Sequence, residues 1–399
     1  MQSDPATSLI RQFHRSGTKS VAVVTGGGSE ALSQILSVPG ASESVLEALI
    51  PYSAAALSDF LRYRPTHYCS EATARAIAMR AFLRARELST RGDSDCATPT
   101  DSLLGIGCTA SLRSWRPKRG EHRVHVAAQT ASGTSVSSLI LRKDARERDD
   151  EEHLVAAMIL NRIAESAGLD ARLPLDLLPG ERIEQQYAEA VGRSAELIAG
   201  TRSVCLGSPG PEDDLHDPPQ KALEAFPGIL IPGAFNPLHH GHLELAEVAT
   251  QILGRQPDFE ISIENVDKPP LDYFEIARRA TQFGSYRRLW LTRAPTFVEK
   301  SRIFPECCFV VGADTIVRIG NPKYYFNSVE VRDVALRELR EQNCRFLVFP
   351  RLVKGAFLTL SDLSLPPALA EICEEVPPSI FRIDLSSSEI RRESITPQV

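Results

Sequence analysis

A histidine-rich glycine turn in the second half of the chain constrains the fold more than any other segment. It has the sequence GAFNPLHHGH over residues 233–242 and follows a short apolar run, Ile229–Ile231, which predicts a buried strand. The apolar residues after it recur at helical spacing on one face: Leu245, Val248, Ala249 and Ile252. A turn between a strand and a helix N-terminus presents backbone N–H groups that suit a phosphate. Because His239 and His242 flank this point, the segment predicts an anion site. The alternative is a surface turn whose histidines have no role.

Composition and charge place the chain among ordinary globular proteins and argue against two classes of partner. Of the 399 residues, 43% are hydrophobic and 24% are charged, and the formal net charge is -6. A net acidic chain implies no broad basic surface, so we do not expect nucleic acid as a partner. No apolar run approaches the roughly 18 residues of a membrane helix, so no membrane contact is predicted. The eight cysteines include no Cys-x-x-Cys pair, which favours reduced thiols in the cytoplasm over a metal site.

The distribution of apolar, proline-rich and charged segments predicts two globular domains joined by a linker. The predicted parts are, in order, a flexible N-terminus, an α/β domain, a linker with a docked helix and a second α/β domain: residues 1–19, 20–168, 169–226 and 227–399. The docked helix is predicted over Glu181–Ala199. Within the N-terminus, Leu9–Arg15 belongs either to a short disordered tail, which we favour, or to the start of an organelle transit peptide.

Strands and helices alternate along the second domain, which predicts a doubly wound parallel sheet. The predicted strands are Ile229–Ile231, Glu260–Val266, Leu289–Leu291, Phe309–Val311, Arg345–Phe349 and Phe381–Ile383. The predicted helices are His242–Leu253, Tyr273–Phe283, Val329–Glu341 and Ser387–Arg392. In such sheets, ligands bind beyond the carboxyl ends of the strands. The histidine turn, Gly312–Asp314 and Ser386–Ser388 each follow a predicted strand, so we expect them to meet at one edge of the sheet.

Four motifs in this domain resemble those of nucleotidyltransferases, in the same order along the chain. The histidine turn resembles the first signature of that superfamily, a glycine turn with His-x-Gly-His, and Leu385–Arg391 resembles the second, Ile-Ser-Ser-Thr-x-Ile-Arg. Val311–Asp314 resembles the intervening Gly-x-Asp loop. Val266–Leu271, followed by Arg278-Arg279, resembles the lysine and arginine segment of nicotinamide mononucleotide adenylyltransferases. The resemblance implies a Rossmann-like nucleotidyltransferase fold.

The resemblance also implies roles for individual residues. Catalysis would fall to His239, His242, Lys268 and Arg391. ATP and its phosphates would be bound by Gly233, Ala234, Phe235, Asn236, Gly241, Ser386, Ser387 and Ser388. The second substrate or its ribose would be bound by Gly312, Asp314 and Trp290. No protein metal site is implied, because Mg²⁺ would be held mainly by the substrate phosphates. Asn236-Pro237 matches the dinucleotide-forming branch better than the cytidylyltransferases, which commonly have aspartate there.

These residue types suit a nucleotidyl transfer, in which a phosphate attacks the α-phosphate of a nucleoside triphosphate in line. The reaction needs no protein nucleophile, but it requires the alignment of two polyanions and stabilisation of charge on the transferring phosphorus. Imidazole N–H groups and cationic side chains provide that stabilisation. Structural alternatives remain for several positions: a solvated lysine at Lys268, a helix cap at Asp314, an N-cap at Ser386–Ser388 and a core aromatic at Trp290.

The first domain carries a weaker resemblance, to the CinA C-terminal domain, a fold that deamidates nicotinamide mononucleotide in bacteria. The resemblance depends on Thr25-Gly26-Gly27, Ser33–Ser42 and Pro51-Tyr52-Ser53. Val23 stands where that family has its nucleophilic serine, and Leu57-Ser58 stands where a lysine is expected. We therefore expect a non-catalytic scaffold, a ligand-binding remnant or an oligomerisation unit. Its glycine turn is either an ordinary turn or a phosphate site.

The predicted function is transfer of AMP from ATP to a pyridine mononucleotide, which forms a dinucleotide for NAD biosynthesis. The sequence leaves open whether the acceptor is nicotinamide or nicotinate mononucleotide. One alternative is a nucleotide-binding ATPase or regulatory protein with the same fold, and another is transfer to a different phosphorylated acceptor. The expected partners are ATP and the mononucleotide, with a second copy of the chain, bound through the CinA-like domain, as a further open alternative.

Overall fold

The computed structural model describes residues 4–91, 99–116, 118–208, 227–265, 269–284, 287–353 and 356–381. The chain divides into two compact units. Unit 1 comprises Met1–Ala190 and the distant segment Asp267–Glu275, and unit 2 comprises Val191–Val266 and Ile276–Val399. The α/β fold class is confirmed. Unit 1 is discontinuous in sequence, and residues 209–226 of the predicted linker lie outside the described residues, so the predicted domain boundaries stay predictions.

Unit 1 is built around one mixed sheet. Its strands are β1 (Lys19–Thr25), β2 (Val45–Leu49), β3 (Leu103–Ser111), β4 (His122–Gln129), β5 (Gly133–Leu141) and β6 (Ile183–Glu189). Its helices are α1 (Pro5–His14), α2 (Ser29–Ser37), α3 (Ala41–Ser44), α4 (Ala54–Leu61), α5 (Glu71–Arg91) and α6 (Arg148–Ser166). The strand order is β2-β1-β3-β4-β5-β6. β1 is parallel to β2 and β3, while the remaining pairs are antiparallel.

Both faces of this sheet are covered, which explains why β3 is buried along almost its whole length. Helices α1, α2 and α6 form the larger apolar core with one face. Helix α5 lies against the other face. A Cβ atom at Gly105 would lie 2.2 Å from the carbonyl oxygen of Ala78, and one at Gly107 would lie 2.3 Å from that of Ala74. Glycine on β3 therefore permits α5 to approach the strand closely.

The prediction of a flexible tail over residues 1–19 is wrong for the part that the structure describes. Asp4 accepts a hydrogen bond from the backbone N–H of Thr7 at 3.2 Å and caps α1, which has proline at its first position. Leu9, Ile10 and Phe13 are buried in the core. The cap and this apolar spacing together give an amphipathic helix that the core of unit 1 binds.

The predicted helix over Glu181–Ala199 is also wrong. Residues Ile183–Glu189 form β6, which pairs antiparallel with β5 at the edge of the first sheet. A short helix, α7 (Ser194–Ala199), follows in unit 2. Most side chains of β6 are exposed. An edge strand with solvent on its outer side lacks the alternating apolar pattern by which a strand is recognised in sequence.

Unit 2 contains the predicted doubly wound sheet. Its strands are β7 (Val204–Ser208), β8 (Ile229–Pro232), β9 (Asp258–Ser262), β10 (Leu289–Thr292), β11 (Cys308–Gly312), β12 (Arg345–Phe349), and β15 (Cys373–Glu375), with a separate hairpin of β13 (Arg351–Val353) and β14 (Ala356–Leu358). Its remaining helices are α8 (His240–Leu253), α9 (Tyr273–Ala280, whose first residues belong to unit 1), α10 (Phe297–Ile303), α11 (Ala313–Ile319), α12 (Val329–Glu341) and α13 (Pro367–Ala370).

The strand order of the second sheet is β15-β12-β11-β8-β9-β10-β7. All neighbours are parallel except β10 and β7, which pair antiparallel through residues 204–208. The strand β7 lies in the segment that the sequence predicts as a linker, and it joins the sheet of unit 2 through β10. The chain order reverses direction between β8 and β11, and ligands of such sheets bind at this switch point, beyond the carboxyl ends of the strands.

Two predicted elements at the C-terminus fall largely or wholly beyond the described residues. Phe381 is described and is not in a strand, and the rest of the predicted strand Phe381–Ile383 lies outside the described residues, as does the predicted helix Ser387–Arg392. None of the helices that the structure describes combines the length and the apolar character needed to cross a bilayer.

Candidate active site

The histidine turn connects β8 to α8 at the switch point of the second sheet. His239 occupies the N-cap position of α8, and the helix begins at His240. Glycine is required at the start of the turn, because a Cβ atom at Gly233 would lie 2.6 Å from the ring of Phe235. Phe235 itself has a positive φ of 41°, a strained conformation for a residue with a side chain. The ring of Phe235 therefore packs against the backbone of Gly233 in the same turn.

The side chain of Phe235 is packed in the core, so the predicted phosphate contact at this position would have to come from its backbone. It is 1% exposed. Its ring meets the rings of His242, Phe259 and Phe283 edge-on, with centroid distances of 5.0, 5.4 and 5.3 Å. These contacts bury the ring of Phe235, and the contact with His242 supports that imidazole. Edge-on packing is a favourable geometry for aromatic pairs.

His242 is held as a neutral hydrogen-bond donor. Its Nδ1 accepts a hydrogen bond from the backbone N–H of His239 at 3.3 Å. Burial, followed by the neighbouring His239 and Arg351, lowers the pKa of His242 from 6.5 to about 3. A neutral imidazole whose Nδ1 accepts a hydrogen bond carries its proton on Nε2. The arrangement therefore leaves an Nε2–H group to donate to a ligand at neutral pH.

His239 is stacked on His242, and the nitrogens of its imidazole are buried. The ring centroids are 3.8 Å apart, with an angle of 28° between the planes. Among the described residues, neither ring nitrogen of His239 has a hydrogen-bond partner, although both atoms are buried. Burial, and then the charge of Arg351, lowers the pKa of His239. Buried polar atoms without partners are costly in a folded protein, which is typical of groups that bind a ligand.

The buried state of His242 gives an expectation for the pH dependence of stability. In the unfolded chain His242 titrates near 6.5, so between this value and about 3 the unfolded chain binds a proton that the folded chain does not. The free energy of unfolding therefore falls as the pH decreases through this window. Urea unfolding at about pH 7.5 and about pH 5 is expected to show a smaller loss for His242→Gln than for the wild type. Equal losses would contradict a neutral, buried His242.

Helix α9 holds the histidine turn from its other side. Arg278 donates from Nη2 to Oδ1 of Asn236 at 2.7 Å. Arg279 donates from Nη1 to the carbonyl oxygen of Ala234 at 3.0 Å. Gln282, two residues beyond the helix, donates to the carbonyl of Phe235 at 3.0 Å and accepts from the N–H of Leu238 at 2.8 Å. The helix and the residues that follow it therefore hold the backbone of the turn. The arginine pair singled out from the sequence thus acts on the turn.

The second side of the switch point is formed by the turn after β11. Asp314 lies in the first turn of α11, and its Oδ1 would be only 2.6 Å from a Cβ atom at Gly312. The same Cβ position lies 3.8 Å from Cδ of Arg351. Gly312 therefore leaves room for both side chains, and the charge of Arg351 also acts on His239 and His242. The structure thus places Arg351 beside both halves of the site.

Arg351 is a candidate site residue that the sequence interpretation did not include. It directly follows Pro350 at the carboxyl end of β12. In the described part of the chain, Arg351 forms no ion pair. The rule that directed attention to Gly312–Asp314, a polar residue after a parallel strand, would also have found Arg351.

Trp290 is buried in the core, which corresponds to the core-aromatic alternative that the sequence left open beside substrate binding. It is 2% exposed, and its indole N–H donates to Oδ2 of Asp258 at 2.8 Å. Its ring packs edge-on against Phe304 at 5.8 Å within the core. The reason is that β10 lies between β9 and β7, so that side chains of this strand enter the core.

Several proposed site residues lie outside the described residues. They are Lys268, Ser386, Ser387, Ser388 and Arg391. Gly241 is described; it is buried in the first turn of α8, where backbone N–H groups have no partner within the helix. The structure thus brings together His239, His242 and Arg351, with Gly312 in contact range of Arg351.

The glycine turn of unit 1 already binds a carboxylate of the protein. Oε1 of Glu152 accepts hydrogen bonds from the N–H of Gly28 at 2.8 Å, from the hydroxyl of Ser29 at 3.1 Å and from the N–H of Glu30 at 3.3 Å. Val23, on the strand β1 that precedes this turn, is fully buried. An anion at the start of α2 is favourable, and here Glu152 supplies it. The turn therefore offers these donors to Glu152, which corresponds to the ordinary-turn alternative.

Comparison with known proteins finds a different similarity for each of the two parts of the chain. Residues 230–393 match the family model described as cytidylyltransferase-like, so this part is a cytidylyltransferase-like domain of the nucleotidyltransferase superfamily. The N-terminal part is similar to the competence/damage inducible protein CihA from Agrobacterium tumefaciens, with 16% identity and a TM-score of 0.31 over 43% of this chain and 98% of that chain. It is also similar to a competence-damaged protein (CinA) superfamily protein from Escherichia coli, with 14% identity and a TM-score of 0.29 over 41% of this chain and 86% of that chain. No curated protein matches the chain.

Proposed function

We propose that unit 2 transfers AMP from ATP to a pyridine mononucleotide and so forms a dinucleotide of the NAD type. The observation that carries this proposal is the pair of stacked, low-pKa histidines at the start of α8, beside Arg351. Neutral N–H donors at a helix N-terminus, together with a nearby cation, form a phosphate-binding arrangement. The match of residues 230–393 to the cytidylyltransferase-like family supports nucleotidyl transfer as the class of reaction.

In the proposed reaction, a phosphate oxygen of the mononucleotide attacks the α-phosphorus of ATP. The new P–O bond forms as the bond to the bridging oxygen breaks, and pyrophosphate leaves with the electron pair. The protein supplies alignment and charge stabilisation instead of a nucleophile. We assign donation from Nε2–H to His242, donation or acceptance at the phosphates to His239, and charge neutralisation to Arg351. By resemblance, Lys268, Arg391 and the serines Ser386–Ser388 would contact the leaving pyrophosphate.

The residues of this site are compatible with Mg²⁺ that is bound through the phosphates of the substrate. The described side chains at the switch point are mainly hydrogen-bond donors and a cation, and no group of three or more His, Cys, Asp or Glu residues in the described ranges forms a metal cage. We therefore propose that Mg²⁺ is held chiefly by phosphate oxygens and water, as is usual for this ion. When bound, it would neutralise charge on the phosphates.

The choice of acceptor depends on the resemblance and not on a described contact. Asn236-Pro237 and the segment Val266–Leu271 resemble adenylyltransferases that act on pyridine mononucleotides. Transfer to another phosphorylated acceptor uses the same chemistry and is the main alternative. A nucleotide-binding ATPase or regulatory protein is a second alternative, which the retention of His239 and His242 together disfavours.

One experiment distinguishes these functions. The full chain is incubated with Mg²⁺, ATP and a panel of phosphorylated acceptors that includes nicotinamide and nicotinate mononucleotides, and products are identified by mass. We expect a dinucleotide and pyrophosphate with one or both pyridine acceptors. A product with another acceptor alone would shift the substrate class, and ADP with phosphate alone would support the ATPase alternative.

The full chain is expected to release no ammonia from nicotinamide mononucleotide. Val23 is fully buried and cannot form an acyl intermediate, and Leu57, 2% exposed, supplies no base. A coupled ammonia assay on the purified protein measures this. Steady release that disappears when Thr25, Ser29 or Tyr52 is replaced would instead reveal a rearranged amidase site.

A further inference from the structure

A short segment from the second half of the chain is part of unit 1. Residues Asp267–Glu275 belong to unit 1, although the residues on both sides of them belong to unit 2. In the described part of this segment, Leu271 and Asp272 are each 5% exposed and Tyr273 is 1% exposed. The burial of three successive residues in unit 1 shows that the segment is fixed there and is not a solvated loop.

A buried ion pair fixes this segment to α5. Nη1 of Arg75 lies 2.8 Å from both carboxylate oxygens of Asp272. The guanidinium of Arg75 also lies 4.7 Å from the ring centroid of Phe274. Arg75 is 9% exposed, so water competes little with these contacts. Charge-assisted hydrogen bonds of this kind are among the stronger side-chain contacts.

Tyr273 adds a second attachment, to the hairpin between β4 and β5. Its backbone N–H donates to Oγ1 of Thr134 at 3.2 Å, and its hydroxyl donates to the carbonyl oxygen of Ala131. The aromatic ring is buried between these two bonds. The segment is thus held by unit 1 through side-chain and main-chain hydrogen bonds at once.

The same segment begins helix α9, which supports the histidine turn. Oδ1 of Asp272 accepts the N–H of Glu275 at 2.9 Å and so caps the first turn of the helix. Further along the same helix and just beyond it, Arg279 and Gln282 bind the backbone of the turn in unit 2. Asp272 therefore both forms the ion pair with Arg75 and caps the helix whose later residues bind the turn.

We infer that unit 1 acts as a positioning platform for the phosphate-binding turn, with Arg75, Asp272 and Tyr273 as positioning residues. Unit 1 holds the first residues of α9, and the helix backbone carries that restraint to Arg279 and Gln282. This inference adds a role for unit 1 to the proposed function of unit 2 and depends on that function only for its kinetic readout. It also gives a non-catalytic unit 1 a defined part in the activity.

The main test is Asp272→Asn in the full chain, measured by amide hydrogen exchange. Exchange of the turn amides over residues 233–239 is expected to become about tenfold faster, because local opening of α9 and the turn becomes easier. Peptides from β12, which is two strands away from β8 in the sheet, are expected to keep their exchange rates. If dinucleotide formation is established, kcat or the KM for ATP should change more than the KM for the acceptor, because the loosened turn is the one assigned to the phosphates of ATP.

A matched control distinguishes positioning from general loosening of unit 1. The pair Arg146–Glu181 is also buried in unit 1, at 2.6 Å, with side chains 6% and 3% exposed. In the described residues, the hydrogen bonds of these two side chains join them to each other and to the backbones of Arg142, Asp176 and Leu178. Glu181→Gln should weaken unit 1 in a thermal melt but leave exchange of the turn unchanged. If Asp272→Asn fails to fold, Tyr273→Phe, which removes one hydroxyl, takes its place, with a smaller increase in turn exchange expected.

Two results would overturn the inference. One is unchanged exchange of the turn in folded Asp272→Asn or Tyr273→Phe. The other is an equal increase in Glu181→Gln, which would mean that any weakening of unit 1 loosens the turn. Hydrogen exchange needs no substrate, so a wild-type chain that forms no dinucleotide would refute the proposed function while the exchange data still decide this inference.

Discussion

Replacing His242 by alanine is expected to lower kcat for dinucleotide formation by about 10² or more, the scale for losing a preorganised donor to a transition state. The variant removes the neutral Nε2–H donor but retains the helix, because α8 extends over His240–Leu253 and alanine favours helix. His239→Ala is expected to have an effect of the same order. Steady-state rates, with circular dichroism and thermal melting to confirm folding, measure this expectation.

His240 provides the matched control for both substitutions. Its side chain is 82% exposed and lies 3.4 Å from Glu244 one helical turn away, so its contacts are those of a surface residue. His240→Ala is therefore expected to retain turnover. Near-normal turnover in a folded His242→Ala variant would refute the site, and an equal loss in His240→Ala would show that the helix start, and not the imidazole, is responsible.

The sheet of unit 2 and the location of its site follow from local sequence patterns. Short apolar runs separated by helical patterns predict parallel strands, and the strand order found, with β8 next to both β11 and β9, is the common doubly wound order. Because the carboxyl ends of parallel strands share one edge, the sequence alone places the histidine turn and Gly312–Asp314 together. The same rule, applied to β12, predicts Arg351.

Features that depend on distant contacts were not predictable in this way. The segment Asp267–Glu275 belongs to unit 1 because Asp272 meets Arg75, a residue almost 200 positions earlier, at 2.8 Å. Strand β7 is stabilised by pairing with β10, and its own five residues carry little strand signal. A sequence window contains neither partner, so both elements look like loop or linker.

Trp290 illustrates a different limit of prediction from sequence, which concerns the direction that a side chain faces and not the sequence distance to its partner. The sequence places it correctly on a strand, but the family resemblance implied a side chain facing a ligand. Alternate residues of a strand face opposite sides of a sheet, and only the structure shows that this indole donates to Asp258 inside the core. A resemblance assigns a position more securely than it assigns the surroundings of a side chain.

Replacing Arg351 by methionine is expected to lower kcat by about 10², because a cation near the reacting phosphates stabilises charge that develops in the transition state. Methionine keeps much of the length and apolar character of the arginine stem, so packing against Gly312 is retained in part. Arg351→Lys should retain some activity, since a lysine keeps the charge but not the planar fork of donors. Rates with saturating ATP and acceptor measure both variants.

A second readout of Arg351 requires no turnover. The charge of Arg351 is one of the causes that lower the pKa of His239 and of His242. Arg351→Met should therefore raise the pKa of His239, observed by NMR titration of the imidazole. Arg345, exposed at the amino end of the same strand, is the control, and Arg345→Met should change neither the rate nor the pKa. Full activity together with an unchanged His239 pKa in Arg351→Met would remove Arg351 from the site.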